Sequence, residues 1–240
     1  MNNILNIAAY QFISLPSEQL PEWRQIFKNH ALACSLKGTI LLSEEGINLF
    51  LAGTSADIAK FKSFLRQFSQ FNRLVYRESW SALQPFKRLL VRIKKEIIAM
   101  GHADIRPEQT TAPYIDPQTL RQWYAQGRPM VVLDTRNQYE VDCGTFDRAL
   151  NLGLKNFRSF PDAVAKLPAD AKQLPIVTFC TGGIRCEKAA LWLKKLGYEE
   201  VYQLQGGILN YFAQCGSDYF QGQCFVFDER VAVDDHHMKE

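Results

Sequence analysis

Ile176-Val177-Thr178-Phe179-Cys180-Thr181-Gly182-Gly183-Ile184-Arg185-Cys186 reads as a buried strand, a glycine-bearing turn and the first turn of a helix. Isoleucine, valine, threonine and phenylalanine in a run suit a strand covered on both faces. Glu187 to Leu196 then has helical spacing, with Gly197 as its C-terminal stop. A thiol, Cys180, is thereby presented at the carboxyl end of a strand. Thr181, Gly182, Gly183, Ile184 and Arg185 can wrap around it with backbone N–H groups pointing inward, a concave anion site that glycine permits by tolerating positive φ. The positive end of the following helix and the Arg185 guanidinium both favour thiolate over thiol, so a lowered Cys180 pKa is expected. A cysteine ending a buried strand is often only a small apolar side chain. Packing, however, does not explain two glycines and an arginine at a helix start, and the nucleophilic reading is preferred.

Outward from this stretch, residues 109–215 alternate helix and strand. Asp116-Pro117 starts a helix through Leu120 and Trp123 to Gly127, Met130 to Asp134 is a buried strand, and Phe160-Pro161 opens a helix towards Leu167. Val201 to Leu204 is a last short strand, and Gly206-Gly207 leads an apolar helix to Cys215. The pattern is that of a mostly parallel sheet flanked by helices, in which chemistry collects outside the strands' carboxyl ends. Asp134 lies at such an end. Asp134 and Arg136 therefore either shape the pocket or pair to brace its loops, the second role being favoured. Cys186, six positions after Cys180, reads equally as a resolving thiol or as packing beneath the loop.

The first hundred residues follow a different order. Ile7 to Ile13 is a strand, a helix runs from about Gln19 to Ser35, and Gly38–Leu42 with Ile47–Leu51 form a hairpin across Ser43-Glu44-Glu45-Gly46. Thr54 or Ser55 caps a second helix whose apolar face is Ile58, Phe61, Phe64, Leu65 and Phe68. Leu74-Val75-Tyr76 and Leu89 to Ile93 are expected to complete a β-α-β-β-α-β order, the arrangement of a ferredoxin-like sandwich. Lys60 to Lys95 holds ten basic residues against one acid, Glu78. Interleaved with Phe71, Tyr76, Trp80 and Phe86, this block suits either a solvated surface or a nucleic-acid groove. Lys87, Arg88, Arg92 and Lys94 are its candidate RNA-binding residues. Met100 to Pro113 is polar, proline-bearing and aperiodic, and reads as a linker that includes His102.

Composition bounds the rest. With 47% hydrophobic and 22% charged residues the chain belongs with ordinary globular proteins rather than disordered ones. Six cysteines at irregular spacings, without a C-x-x-C pair, support neither a zinc ribbon nor a disulfide framework. No metal site is expected. His236 and His237 beside two aspartates suit a chain end better than a ligand set. The N-terminus lacks the pattern of a secretion signal, and no run of about 18 apolar residues occurs, so a cytoplasmic protein without a membrane span is expected.

Asp134-Thr135-Arg136 with Glu140, Cys180 to Arg185, and Gly197-Tyr198 with Gly206-Gly207 resemble the signature stretches of a rhodanese domain, which implies a persulfide on Cys180. More narrowly, Cys180 to Ala189, Ser43-Glu44-Glu45-Gly46-Ile47-Asn48, and Cys224 to Val233 resemble the rhodanese-related tRNA uridine hydroxylases. The resemblance implies a mixed α/β and α+β chain: an N-terminal ferredoxin-like (acylphosphatase-like) RNA-binding sandwich over 1–108, a rhodanese-like catalytic domain over 109–215, and a tail over 216–240. It implies hydroxylation of the wobble uridine in the tRNA anticodon loop to 5-hydroxyuridine, with molecular oxygen as co-substrate, Cys180 as the essential cysteine and no evident further cofactor. Longer relatives continue into a cysteine-containing C-terminal region, so no metal or RNA contact there is carried over. Two alternatives stay open: a sulfurtransferase using a sulfur donor, and a non-catalytic RNA-binding module. Oligomeric state is not legible.

Overall fold

The computed structural model describes residues 4–165, 167 and 169–238. The chain divides into two units, one running to Ile98 and taking in Asp228–Arg230, the other comprising Ala99–Phe227 and Val231–His236.

In the first unit, β1 (Ile4–Phe12), α1 (Leu20–Ala33), β2 (Lys37–Ser43), β3 (Gly46–Gly53), α2 (Ser55–Leu65) and β4 (Arg77–Ser81) follow the β-α-β-β-α-β order. They pair antiparallel as β4-β1-β3-β2, and β5 (Leu89–Ile93) adds a fifth, edge strand parallel to β2. Alternate residues of the strands, among them Leu5, Ile7, Leu49 and Leu51, share a core with Phe27 of α1 and Ile58, Phe61 and Leu65 of α2. The Thr54 hydroxyl accepts the Asp57 N–H at 3.2 Å and so caps α2.

Two strand expectations need correction here. The fourth strand is Arg77–Ser81 rather than Leu74–Tyr76, and Leu89–Ile93 is the fifth. Arg-Glu-Ser-Trp-Ser has no apolar run to mark it; its place is decided by pairing with β1, Leu5 opposite Trp80 and Ile7 opposite Glu78. The interleaved aromatics are largely core as well. Phe71 is fully buried with its ring 5.6 Å from those of Trp23 and Phe27, and Tyr76 and Trp80 pack at the core's edge.

The second unit contains β6 (Tyr114–Ile115), α3 (Pro117–Ala125), β7 (Val131–Asp134), α4 (Gln138–Val141), β8 (Gly144–Phe146), β9 (Leu150–Asn151), α5 (Phe160–Val164), β10 (Ile176–Phe179), α6 (Ile184–Lys195), β11 (Val201–Leu204) and α7 (Gly207–Cys215). Five strands form a parallel sheet in the order β6-β11-β10-β7-β9. β10 is central and buried along its whole length, as a strand flanked on both edges and covered on both faces must be. α5 ends at Val164, short of Leu167; Lys166 and Pro168 are outside the described residues.

Residues 99–108 lie in this second unit, ahead of the boundary expected at 108. Although the stretch is polar overall, its Met100 and Ile105 are buried, the His102 ring lies 4.3 Å from that of Trp192, and Asp104 pairs with Lys195. The described residues of the expected tail, 216–238, are likewise taken into the two units. β12 (Phe220–Gly222) pairs with β8, and β13 (Cys224–Phe225) pairs with β14 (Ala232–Val233), while Asp228–Arg230 belongs to the first unit, where Arg230 Nη1 donates to Ser79 Oγ at 2.9 Å.

Candidate active site

Cys180 directly follows the central strand β10 and is fully buried. The turn closes because Gly183 adopts φ 100°, a left-handed conformation that a side chain would strain, and α6 starts at the next residue. The Gly183 N–H then donates to Cys180 Sγ at 3.1 Å. The loop's carbonyls point the other way, into the first turn of α7: Ile208 N–H donates to Cys180 O at 3.0 Å and Leu209 N–H to Thr181 O at 3.1 Å. This approach requires Gly207, where a Cβ would stand 2.3 Å from Cys180 O. Two helix N-termini thus fix the loop, one giving N–H groups to the sulfur and the other satisfying the carbonyls behind it.

The surrounding charges follow a consistent arrangement. Arg185 forms a bidentate pair with Glu140, Nη1–Oε2 at 2.6 Å and Nη2–Oε1 at 2.7 Å, both side chains being buried. Glu140 also accepts the Asn137 N–H at 3.1 Å, closing a capping box on α4, and the Thr181 hydroxyl at 3.4 Å. Thr181 Oγ1 in turn lies 3.3 Å from Phe225 O. One step further from the sulfur, Arg136 grips Asp134 through Nε–Oδ1 at 2.9 Å and Nη2–Oδ2 at 2.6 Å. Arg136 also donates to the carbonyls of Glu140 and Gly144, and Thr145 donates to Asp134, so this buried pair ties β7, α4 and β8 together.

With both ion pairs internally neutral, ionisation of Cys180 places one net negative charge beside dipoles aimed at it. Burial pushes the Cys180 pKa up. It is outweighed by a hydrogen bond from the Cys186 thiol, by the Arg185 charge and by the N–H groups of Arg185 and Gly183, and the pKa falls to about 6. Cys186 moves the opposite way: burial, its hydrogen bond to Cys180 and the Cys180 charge raise its pKa, so it stays a thiol. Cys186 also lies 3.9 Å from Thr135 Oγ1, whose hydroxyl donates to Phe179 O at 2.9 Å. The Arg185 pKa is raised, burial notwithstanding, by its bond to and charge attraction for Glu140 and by Cys180. Cys224, buried beside Thr181, is pushed up by burial to about 12 and is no second nucleophile.

A family model described as UPF0176 acylphosphatase like domain matches residues 4–97, and one described as Rhodanese-like domain matches residues 116–214. A protein of Cupriavidus metallidurans named tRNA uridine(34) hydroxylase is 49% identical over 235 residues, which cover 96% of this chain and 83% of that one. A Bordetella parapertussis protein of the same name is 49% identical over 234 residues, covering 98% and 97%. One from Burkholderia lata is 47% identical over 239 residues, covering 96% and 84%. This chain belongs to the tRNA uridine(34) hydroxylase family.

In this member of the tRNA uridine(34) hydroxylase family, Cys180, the Thr181–Arg185 loop, Cys186, Asp134 and Arg136 are brought together at the carboxyl ends of β7 and β10. Reading the sequence alone left Glu140, Gly207 and Phe225 without a site role. Asn137-x-x-Glu140 is a capping-box spacing that marks a helix start, but nothing local says that its carboxylate meets Arg185, 45 residues on. The basic candidates belong to the first unit. Arg88, Arg92 and Lys94 are exposed and alternate along β5 and its flanks on the side opposite the buried Val91. Lys87 falls on the other side of that alternation and pairs with Glu229 at 3.2 Å, so it is not grouped with the three. Among the described residues, no group of His, Cys, Asp and Glu side chains is arranged to hold a metal ion, and no helix is long and apolar enough to cross a membrane.

Proposed function

We propose that this protein hydroxylates the wobble uridine of tRNA at C5, with Cys180 as the reacting group and molecular oxygen as co-substrate. The observation that carries the reading is the Cys180 thiolate, stabilised by the loop N–H groups, Arg185 and the Cys186 thiol, in a chain whose relatives are named tRNA uridine(34) hydroxylases. Inserting one oxygen atom of O2 into the C5–H bond, with the other leaving as water, takes up two electrons and two protons. The Cys180 thiolate and the Cys186 thiol supply both electrons by closing a disulfide; Cys186 gives one proton, water gives the second, and an external thiol reductant reopens the disulfide before the next turnover. The same N–H groups and Arg185 stabilise negative charge that develops on sulfur or oxygen during the reaction. The anticodon loop is the part of the tRNA that the site receives, its target base turned out of the stack.

The test is incubation of the purified protein with unmodified tRNA and a dithiol reductant that reopens a Cys180–Cys186 disulfide, with and without oxygen, followed by mass spectrometry of the nucleosides. Wild type should add one oxygen to uridine only under oxygen, Cys180→Ala should add none, and Cys186→Ser should stop after at most one turnover. No change on RNA, together with rapid sulfur transfer from thiosulfate to cyanide, would replace the hydroxylase reading with a sulfurtransferase using a Cys180 persulfide and a sulfur donor. Unchanged multiple turnover in Cys186→Ser would remove the resolving role while leaving Cys180 in place.

A further inference from the structure

From Ile176 to Ala190 every residue is buried except Gly182, which is partly exposed. Along this segment, the wall around the fully buried Cys180 therefore meets solvent at one place in the loop. Gly182 is also unusual in the reason for its being a glycine. Twelve of the chain's 14 glycines have positive φ, the conformation that disfavours a side chain, and Gly182 is not one of them. The other exception, Gly53, is explained by packing, since a Cβ there would stand 2.4 Å from Leu36 Cδ2. At Gly182 a Cβ would meet nothing within 4 Å beyond its chain neighbours. Neither backbone conformation nor packing among the described residues calls for a bare Cα at this position, two residues after the reacting thiol.

We propose that Gly182 is a specificity-determining position, its bare Cα leaving the clearance in which the face of the target pyrimidine lies when C5 reaches Cys180, an inference that rests on the hydroxylase reading above. Glycine serves where main chain approaches a ligand closely, because a flat ring can then rest at van der Waals distance from the backbone. A base turned out of its stack presents such a flat face. The groups that hold the thiolate, the Gly183 N–H 3.1 Å from Cys180 Sγ and the buried Arg185, are separate from this clearance. A methyl group at Gly182 therefore narrows the approach to the thiol while leaving its stabilising partners in place.

The experiment compares wild type, Gly182→Ala and the bulkier Gly182→Leu in four measurements: thermal unfolding, Cys180 titration by thiolate absorbance, hydroxylation of a synthetic anticodon stem-loop RNA, and binding of that RNA with either uridine or an abasic residue at the wobble position. Gly182→Ala should unfold and titrate as wild type does, because its Cβ enters open space. Its affinity for the uridine RNA and its kcat/KM for hydroxylation should fall by about 5- to 150-fold, the effect of one overpacked methyl group, with a larger fall in Gly182→Leu. All three proteins should bind the abasic RNA alike. Equal affinity of all three for the uridine RNA overturns the proposal, as does an equal loss on both RNAs, because Gly182 would then face something other than the target base. A lowered unfolding midpoint or a shifted Cys180 titration in Gly182→Ala overturns it too, since the Cβ would be acting on the loop itself. Wild-type hydroxylation with unmoved affinities removes the clearance alone; base-dependent losses without hydroxylation by wild type remove the hydroxylase reading alone.

Discussion

Replacing Arg185 by glutamine removes a cationic group whose charge lowers the Cys180 pKa. In wild type the thiol titrates at about 6, so roughly nine-tenths is thiolate at neutral pH. An opposite charge within contact range is worth about 1–3 pKa units, and its loss should return Cys180 to about 7–9. The thiolate fraction near pH 7 then falls to between about a half and about a hundredth. Arg185→Gln alone also strands the buried Glu140 carboxylate, and breaking a buried pair on one side costs about 3–5 kcal/mol. The double variant Arg185→Gln, Glu140→Gln has no stranded charge and isolates the electrostatic effect. The assay is thiolate absorbance against pH, taken as the difference from the same protein carrying Cys180→Ser, so that the other five cysteines cancel. An upward shift in both variants is expected. A Cys180 titration that stays near 6 in the double variant would refute the assignment of the lowered pKa to Arg185 and leave the N–H groups and Cys186 as its whole cause.

Three further outcomes are expected. Because the folded pKa of Cys180 is lowered from 9.0, the unfolded chain binds the extra proton between about pH 6 and 9; the thiolate's contribution to stability is fully present above that window, and is lost as pH falls through 6. Urea midpoints of wild type minus Cys180→Ala should therefore rise across the window, and a flat difference would deny the lowered pKa. Gly207→Ala places a Cβ 2.3 Å from Cys180 O at φ +65°, so it should lower the thermal midpoint, with strain of about 1–3 kcal/mol, and displace α7 from the loop; an unchanged midpoint would mean that the approach is not tight. Charge reversal of Arg88, Arg92 and Lys94 together should weaken tRNA binding and flatten its salt dependence, whereas an unmoved slope would make that face an ordinary solvated surface.

The basic block shows how local pattern misleads. Ten basic residues interleaved with aromatics look like a nucleic-acid groove, yet Phe71 lies at the centre of the first unit's core and Lys62 is paired with Glu78. A helix or strand interleaves apolar and charged residues simply by having a buried and a solvated face. The fourth strand failed for the reverse reason. Arg77–Ser81 carries no apolar alternation, and its identity as a strand comes from backbone pairing with β1.

Residues adjacent in sequence determined the thiol at the end of β10, the left-handed glycine after it and the arginine in the first turn of the helix, because strand, turn and helix start are set within a few residues of one another. The split β-α-β-β-α-β order, apart from the place of its fourth strand, and the main helices and strands of the second half were legible because those elements carry their own period. Tertiary structure alone decided which partners complete the site. Glu140 reaches Arg185 across 45 positions, α7 lends its N–H groups to the loop's carbonyls, and Phe225 arrives beside Thr181 from a strand of two residues. Charge pairs, backbone donors and ring contacts join groups far apart along the chain, and proximity of that kind exists only once the sheet has brought the carboxyl ends of its strands together.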